Sequence, residues 1–335
     1  MIPAGAIVAA RHGPWRRLLL AVPLALFASF AAKAEPIRVE ARPFDLLPGE
    51  ESPRIGQLRY IAGFSLSSPH PRFGGLSGLA IDASTNRLIA VSDRGHWFTA
   101  TLELATDGRL TGLQDTALVP ILSSASKTAV RGHWIDAEAV TREPNGGLVV
   151  SFEHCHRLWR FGPAADATTA PPQPLPPPDE LAMAPPNGGI EALVALPSGE
   201  LLAITEELQD AAGNLVGWLG RPGLWQPIRY RPTGDFRPTD LALLPSGDVL
   251  ALERRFSILG GVAARVQRLA AADIRPGALL SGEEIARFER PLALDNFEGL
   301  AVVADGRGKL WLYIVSDDNF SPLQQTLLLQ FRLLD

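Results

Sequence analysis

Asn296–Phe320, which reads N-F-E-G-L-A-V-V-A-D-G-R-G-K-L-W-L-Y-I-V-S-D-D-N-F, is the stretch of this chain that decides the fold. Glu298 opens a short apolar run, a D-G-R-G turn follows, and a second apolar run ends at Asp317 and Asp318. Two β-rich runs around a glycine turn predict an antiparallel hairpin. The start of the first strand and the end of the second are neighbours in such a hairpin. We therefore predict that Glu298 and Asp317 lie at the same end of one hairpin.

The same order of acid, apolar run, turn, apolar run and acid recurs along the chain. The two acids are 15 residues apart in two copies, 13 in another and 19 in the last. The first copy has glycine in place of the opening acid, and its spacing is again 15. The paired positions are Gly78 and Asp93, Glu138 and Glu153, Glu191 and Glu206, Asp240 and Glu253, and Glu298 and Asp317.

Successive copies begin 60, 53, 49 and 58 residues apart, and each unit has room for four short strands. Repeats of this period with only β signals inside them predict an all-β fold, a β-propeller with four-stranded blades. Counting copies gives five blades, and six stay possible because periods of 58 to 60 residues are long for one blade. The last unit is too short for an outer strand. We expect residues 59–66 to supply it, so that the N- and C-terminal strands pair and close the ring.

Residues 1–34 have the layout of a secretory signal peptide: three arginines, an apolar run of 15 residues and a small-x-small site ending at Ala34. The alternative is an anchor helix, although the run is short for a membrane span. The Sec route fits the residues around the arginine pair better than the twin-arginine route. We expect a periplasmic or secreted protein, with an extended segment at 35–54 and a single propeller domain at 55–335.

A Pro/Ala-rich tract at 163–188 interrupts the second unit. Its composition predicts a loop insertion. A surface insertion and a lid over a site are both compatible with it.

Charge narrows the classes of partner. Removing residues 1–34 takes away three Arg, one Lys and no acid, which moves the formal net charge from −5 to −9. A domain this acidic, without a basic run, argues against nucleic acid or an anionic membrane as partner. It suits cations, or a small substrate held through a bound cation. The sequence leaves the oligomeric state open.

The repeated acids are the candidate functional residues. If each hairpin is the inner pair of a blade, its acids meet at one end of the central channel. Clustered carboxylates raise each other's pKa unless cations neutralise them, and hard cations such as Ca²⁺ take oxygen ligands. The alternative is that each acid caps a turn by accepting backbone N–H groups. The candidate metal ligands are Asp93, Glu138, Glu153, Glu191, Glu206, Asp240, Glu253, Glu298, Asp317 and Asp318.

Signatures of other hydrolytic chemistry are missing from the chain. It has no G-x-S-x-G and no H-E-x-x-H motif. His154 and His156 flank Cys155 and would share one side of a strand, where they could bind a soft metal. Packing and pocket lining are both possible for four aromatic residues beside the acid-bearing loops. These are His96, Trp97, His133 and Trp134.

Several motifs together resemble the phytase-like family of exported bacterial proteins, described as "esterase-like activity of phytase". They are G-G-L-S-G-L at 74–79, V-S-D-R-G at 91–95, L-E-R-R at 252–255 and the stretch at 296–320. The resemblance covers about residues 55–333. It implies a propeller and a hydrolase of ester or phosphoester bonds. The alternative is a non-catalytic envelope propeller that binds a ligand or a protein partner.

The architecture is also similar to that of calcium-dependent β-propeller phytases, in which an acidic channel mouth holds Ca²⁺ ions that bind substrate phosphates and activate water. This similarity implies Ca²⁺ as a cofactor. It favours Glu138, Glu191, Asp240, Glu298 and Asp317 as ligands, with Glu138, Glu298 and Asp317 as catalytic candidates. It also implies that Arg94, Arg254 and Arg255 bind substrate phosphate, because guanidinium forks match phosphate oxygens. The phytases' own ligand motifs are not present, so the similarity is one of site type.

Overall fold

The computed structural model describes residues 34–123, 136–162, 167–169, 171–257 and 261–334. These residues form strands and three short 3₁₀ helices, Ala167–Thr169, Asp179–Met183 and Ala271–Asp273. Within these ranges, no helix has the length and apolar character needed to cross a membrane. The predicted signal peptide lies outside them except for its last residue, so it stays a prediction.

The strands follow one another in the chain with short turns between most of them. They are β1 (Glu35–Pro36), β2 (Glu40–Pro43), β3 (Arg54–Ile55), β4 (Leu58–Ser67), β5 (Leu76–Asp82), β6 (Arg87–Ser92), β7 (His96–Leu104), β8 (Leu110–Pro120), β9 (Ala137–Arg142), β10 (Leu148–Phe152), β11 (Arg157–Phe161), β12 (Pro172–Leu175), β13 (Ile190–Ala195), β14 (Leu201–Gln209), β15 (Leu215–Arg221), β16 (Leu224–Tyr230), β17 (Arg237–Leu243), β18 (Val249–Ser257), β19 (Gly261–Leu269), β20 (Leu279–Leu280), β21 (Glu283–Phe288), β22 (Asn296–Ala304), β23 (Leu310–Asp317) and β24 (Thr326–Leu333).

Five sheets form the five blades of a β-propeller. From the axis outward, blade 1 is β5-β6-β7-β8-β1, blade 2 is β9-β10-β11-β12, blade 3 is β13-β14-β15-β16-β20, blade 4 is β17-β18-β19-β21, and blade 5 is β22-β23-β24-β4-β2. Each innermost strand contacts the innermost strands of the two neighbouring blades. The prediction of an all-β propeller with five blades is confirmed.

The ring closes as the repeat count predicted. Strand β4, near the N-terminus, pairs antiparallel with β24, from Leu58 opposite Leu333 to Leu66 opposite Thr326. The fifth blade therefore combines the two ends of the propeller domain. The long periods come from connections between blades. One of them contains β20, which leaves blade 4 and adds a parallel fifth strand to blade 3.

Part of the Pro-rich tract is not a loop. Residues 172–175 form β12, the outer strand of blade 2, paired with β11. Pro172 and Pro174 can lie here because an edge strand has no outer neighbour that needs their N–H groups. The 3₁₀ helix after it buries Leu181 in the apolar core between blades 2 and 3. The expectation of an insertion at 163–188 is thus corrected: this tract completes a blade.

The hydrophobic core lies between the blades, in five clusters that each join two neighbouring sheets. Both faces of a blade are covered in this arrangement, so inner strands such as β10 are buried along their whole length. Aromatic pairs span some of these contacts. The rings of Trp97 and Phe161 meet edge to face between blades 1 and 2, with centroids 4.9 Å apart.

The inner strands come very close together at one level of the axis. A Cβ atom added to Gly78 would lie 2.3 Å from the backbone nitrogen of Val140, and one added to Gly299 would lie 2.4 Å from the carbonyl oxygen of Ser77. Blades 2 and 3 have Ala139 and Ala192 at this level. Small residues are needed where the backbones approach, and the channel opens beyond them.

Candidate functional site

A β-bulge in each inner hairpin places one side chain at the mouth of the channel. The register shifts between Ile190 and Ala192 in blade 3 and between Phe297 and Gly299 in blade 5. The extra residue of a bulge is left out of the ladder, which re-aims its side chain. The five equivalent residues, from blade 1 to blade 5, are Ser77, Glu138, Glu191, Thr239 and Glu298.

A second set of side chains follows the last paired residue of the neighbouring strand. In blades 1, 2 and 3 this residue donates its backbone N–H to a carbonyl across the hairpin, at N···O distances of 2.9 to 3.1 Å. In blades 4 and 5 it is the pairing partner of Arg237 and Asn296. The five equivalent residues are Asp93, Glu153, Glu206, Arg254 and Asp317.

Nine of these ten residues, all except Thr239, line one cavity of about 760 Å³ at the end of the channel. Asp136 and Asp295 add two more acids, so nine carboxyl groups face a space that contains only two guanidinium groups, Arg254 and Arg255. The sequence prediction that the repeated acids converge is therefore confirmed for Asp93, Glu138, Glu153, Glu191, Glu206, Glu298 and Asp317.

The assignment of Asp240 and Glu253 to this ring is wrong by one residue on each strand. In blade 4 Asp240 pairs with Leu252, as Ala192 pairs with Ile204 in blade 3. The true equivalents of Glu191 and Glu206 are therefore Thr239 and Arg254. They are 15 residues apart, which restores the spacing seen in blades 2 and 3.

Asp240 instead plugs the narrow level of the axis, where the other blades have glycine or alanine. Its carboxylate is fully buried and accepts backbone N–H groups from Leu300 at 2.7 Å, Leu241 at 2.8 Å and Leu79 at 3.4 Å. It joins the inner strands of blades 5, 4 and 1. Burial raises the pKa of this carboxyl well above its usual value, and the three N–H donors oppose that shift.

Glu253 lies inside the protein between blades 3 and 4. Its carboxylate accepts the hydroxyl of Tyr230 at 2.8 Å and the amide of Gln267 at 2.7 Å, and it is ion-paired with Arg265. All of its oxygens are used by protein donors, and the side chain has no exposed surface. This acid stabilises the fold and is not available to a ligand.

Asp318 and Arg94 fix the loops at the mouth and do not line the cavity. Asp318 accepts the backbone N–H groups of Gly75 and Phe320, each at 3.0 Å. The guanidinium group of Arg94 lies 3.1 Å from the centre of the Phe320 ring. The expectation that Asp318 is a cation ligand and Arg94 a phosphate contact is thus not supported by their positions.

Asp136, Glu138 and Glu153 form the tightest group of acids in the described part of the chain. One ligand oxygen from each lies within 4.8 Å of the others, and Glu153 is buried. Sequence reasoning missed Asp136, because the equivalent residues in blades 1 and 3 are Gly75 and Gly189. The available signal was the I-D-A-E sequence, which places two acids on one side of a strand.

Burial and crowding raise the pKa values of the cavity acids. Desolvation is the largest cause in each case, followed in most by repulsion from neighbouring carboxylates. The pKa of Asp93 is raised to about 7, that of Glu153 to about 8 and that of Asp317 to about 6. The pKa values of Glu138 and Glu191 are raised well above the usual range. This group of acids therefore has a strong tendency to take up protons or cations.

Arg254 bridges two of these acids. Its Nε lies 2.9 Å from Oε1 of Glu298, and one of its terminal nitrogens lies 3.4 Å from Oε1 of Glu206. Asn296 donates to the same Glu298 oxygen at 2.7 Å. Oε2 of Glu298 is buried and has no hydrogen-bond partner among the described residues. Desolvation raises the pKa of Glu298 to about 7, and Arg254 opposes the shift.

Arg255 is the cavity cation that forms no ion pair with any described residue. Its guanidinium group lies 4.7 Å from the centre of the Phe236 ring. Its Nε atom is buried without a hydrogen-bond partner in the described part of the protein. A guanidinium group held in this way beside a cavity is suited to binding an anionic oxygen of a ligand.

The His154-Cys155-His156 sequence is a turn and not a strand, so its side chains do not alternate as expected. His154 lies 2.9 Å from Asp136, and His156 contacts the carbonyl of Pro185 at 2.9 Å. No metal-binding group of the described residues contains either histidine. His96 and Trp97 are buried, and His133 and Trp134 lie outside the described residues.

The family model that describes the phytase-like proteins, "esterase-like activity of phytase", matches residues 71–320. The chain belongs to the phytase-like family. This match contains all ten positions of the two sets above, and it confirms the family predicted from the sequence motifs. No protein of known, curated function matches the chain significantly.

Solved structures with the same kind of architecture share little sequence with this phytase-like protein. One is assigned to the gluconolactonases: TM-score 0.45, 14% identity, covering 91% of this chain and 95% of that one. Another is the PQQ-bound aldose sugar dehydrogenase of Streptomyces coelicolor: TM-score 0.41, 13% identity, covering 89% and 99%. A third is the virginiamycin B lyase of Staphylococcus aureus: TM-score 0.38, 10% identity, covering 83% and 85%. Likenesses this distant carry no information about the reaction.

Proposed function

We propose that this phytase-like protein is a hydrolase of phosphoester or ester bonds that works at the axial cavity with the help of a bound divalent cation, Ca²⁺ being the first candidate. One observation carries the proposal. Nine carboxyl groups from four blades and the loops beside them line one cavity, and the fourth blade supplies the arginines. Family membership supports the reaction class.

The residues of the cavity fit a hard cation. Asp136, Glu138 and Glu153 offer three carboxylate oxygens close together, and oxygen is the ligand atom that Ca²⁺ takes. Glu138 lies within hydrogen-bonding range of Asp136, and Glu153 within range of Glu191. Two carboxyl groups approach so closely only with a proton or a cation between them. When bound, the cation would neutralise these acids and polarise the bond to be broken.

Two residues of the chain would handle the substrate. Arg255 would bind an oxygen of the phosphate or carboxylic ester, since it forms no ion pair within the described part of the protein. Glu298 would take a proton at Oε2 from the attacking water, because its other oxygen is held by Arg254 and Asn296. Water adds to phosphorus or to the acyl carbon, the bond to the alkoxy oxygen breaks, and the proton is delivered to that oxygen.

An activity assay with purified protein tests the proposal. The substrates are p-nitrophenyl phosphate, p-nitrophenyl acetate and phytate, each measured with Ca²⁺ and with a chelator. We expect turnover of at least one substrate that is lost with the chelator, and a higher melting temperature in Ca²⁺. Replacing Glu298 by Gln together with Asp317 by Asn should lower kcat by about a hundredfold or more.

The control is Glu103→Gln, at an exposed acid on β7 that is not part of the cavity. It should retain the activity of the natural protein. Absence of turnover on all three substrates, together with no effect of Ca²⁺ on melting, would favour the alternative of a propeller that only binds a ligand or a protein partner.

A further inference from the structure

The cavity has an apolar side that the proposed reaction does not use. Phe256 is 69% exposed and Leu323 is 92% exposed, and both line the cavity. Val262 and Leu294, which are partly buried, lie on the same wall. Large apolar side chains are seldom left this exposed in a group without a role in binding.

This apolar wall belongs to one part of the ring. Phe256 and Val262 come from blade 4, Leu294 from the connection between blades 4 and 5, and Leu323 from the loop that follows β23 in blade 5. Blades 1, 2 and 3 contribute most of the acids. The two arginines come from β18, and Arg255 directly precedes Phe256. Along this strand the cavity changes from acidic to cationic and then to apolar.

We infer that the substrate is an amphiphilic anion: a phosphate or carboxylic ester whose head group binds at Arg255 and the acids, and whose alkyl or aryl group packs on Phe256 and Leu323. This inference rests on the proposed function for the identity of the reacting group. It names the substrate class more narrowly, because a small polyanion such as phytate has no apolar part for this wall.

The dimensions agree with such a ligand. A cavity of about 760 Å³ is within the range of about 300–1,000 Å³ that holds drug-sized molecules. Moving apolar groups of a ligand from water onto exposed apolar side chains is favourable in proportion to the area that both bury. The arginine head-group contact would fix the orientation, and the apolar wall would add affinity.

A binding experiment tests the inference without requiring turnover. Hexylphosphonate and methylphosphonate have the same head group and differ in five methylene groups, and neither can be hydrolysed. We expect calorimetry, with Ca²⁺ present, to give hexylphosphonate a dissociation constant about tenfold or more below that of methylphosphonate. Equal affinities, or no binding of either ligand, would overturn the inference.

Variants locate the apolar contact. Phe256→Ala combined with Leu323→Ala should reduce the ratio of the two affinities to about twofold or less, with the affinity for methylphosphonate unchanged. The matched control is Leu224→Ala, a leucine that is 72% exposed but lies outside the cavity, and it should keep the full ratio. Retention of the chain-length preference in the double variant would contradict the proposed site.

The two proposals can fail separately. Absence of hydrolysis on every ester, with a chain-length preference that depends on Phe256 and Leu323, would leave an amphiphile-binding site without the reaction. Hydrolysis of short and long alkyl phosphates at equal kcat/KM, with no preference in binding, would leave the reaction and remove the amphiphilic substrate.

Discussion

Blades 3 and 4 place different chemistry at the same two positions of the same hairpin. Blade 3 has Glu191 and Glu206 there, and blade 4 has Thr239 and Arg254. The backbone register is equivalent, including the bulge, so only the side chains differ. A propeller repeats its backbone geometry, and one divergent blade is enough to give an acidic ring a cationic side.

The same comparison separates two kinds of acid. Glu206 follows the last paired residue of its hairpin and faces the cavity, whereas Glu253, one position earlier on the equivalent strand, faces the interior. Glu253 has a complete set of protein donors, while Glu298 keeps an oxygen without a partner among the described residues. A change at the first should affect stability, and a change at the second should affect ligands.

The largest expected effect is the loss of Glu253. Replacing it by Ala leaves Arg265 buried without its carboxylate, and Tyr230 and Gln267 lose their acceptor. Breaking a buried ion pair in this way costs about 3–5 kcal/mol of unfolding free energy. Urea unfolding measures the loss. Calcium binding by the fraction that remains folded should be unchanged, and weaker calcium binding would show that this acid is not separate from the site.

A somewhat smaller loss is expected for Arg254→Gln. The change leaves Glu206, Glu298 and Glu191 without the cation that lies among them. Since Arg254 is partly exposed, we expect a loss of about 2–4 kcal/mol in chelator. Added Ca²⁺ should restore much of it, as a cation replaces a cation. The control is Arg221→Gln, whose exposed side chain contacts only the carbonyl of Ser198 in the described residues. No rescue by Ca²⁺ would contradict a cation site beside Arg254.

Much of the fold was predictable because a propeller writes its period into the sequence. The hairpin at Asn296–Phe320 and its copies gave the blade number, and the shortness of the last unit gave the closing strand. Strand β12 escaped prediction because proline is compatible with an edge strand while its composition indicates a loop.

The site was less predictable, since a shift of one residue turns a side chain to the other face of a strand. The acids of blade 4 looked like copies of those in blade 3, and the spacing of 13 instead of 15 was the warning. Asp136 and the exposed Phe256 and Leu323 came from loops and strand ends that have no counterpart in the other copies. Only their convergence in space identifies them.

A third prediction concerns pH and sharpens the difference between cavity acids and surface acids. The folded-state pKa values of Asp93, Glu153 and Glu298 are raised to about 7, 8 and 7, above those of the unfolded chain. The folded protein therefore binds protons that the unfolded chain has released, and stability is lost as the pH rises from about 5 to about 8. Asp248 has a lowered pKa, so its contribution is complete above about pH 5 and does not change in this window.

We expect the melting temperature in chelator to fall by about 5 °C or more between these two pH values. The rise caused by Ca²⁺ should be larger at about pH 8 than at about pH 5, because the cation replaces protons on the same carboxylates. A melting temperature that is constant across this range, with and without Ca²⁺, would contradict the raised pKa values.

The smallest expected effect comes from completing the acidic ring in blade 1. Ser77 lies at the position of Glu191 and Glu298 and lines the cavity. Ser77→Glu would add a tenth carboxylate, and Ser77→Gln is the uncharged control of the same shape. Because the added charge attracts cations and repels anions, we expect the Glu variant to bind Ca²⁺ about two- to fivefold more tightly and methylphosphonate correspondingly more weakly than the Gln variant. Calorimetry on both variants measures the two constants. Equal constants for the two variants would mean that this position does not contact the ligand space, and that the ring of acids ends at blade 2.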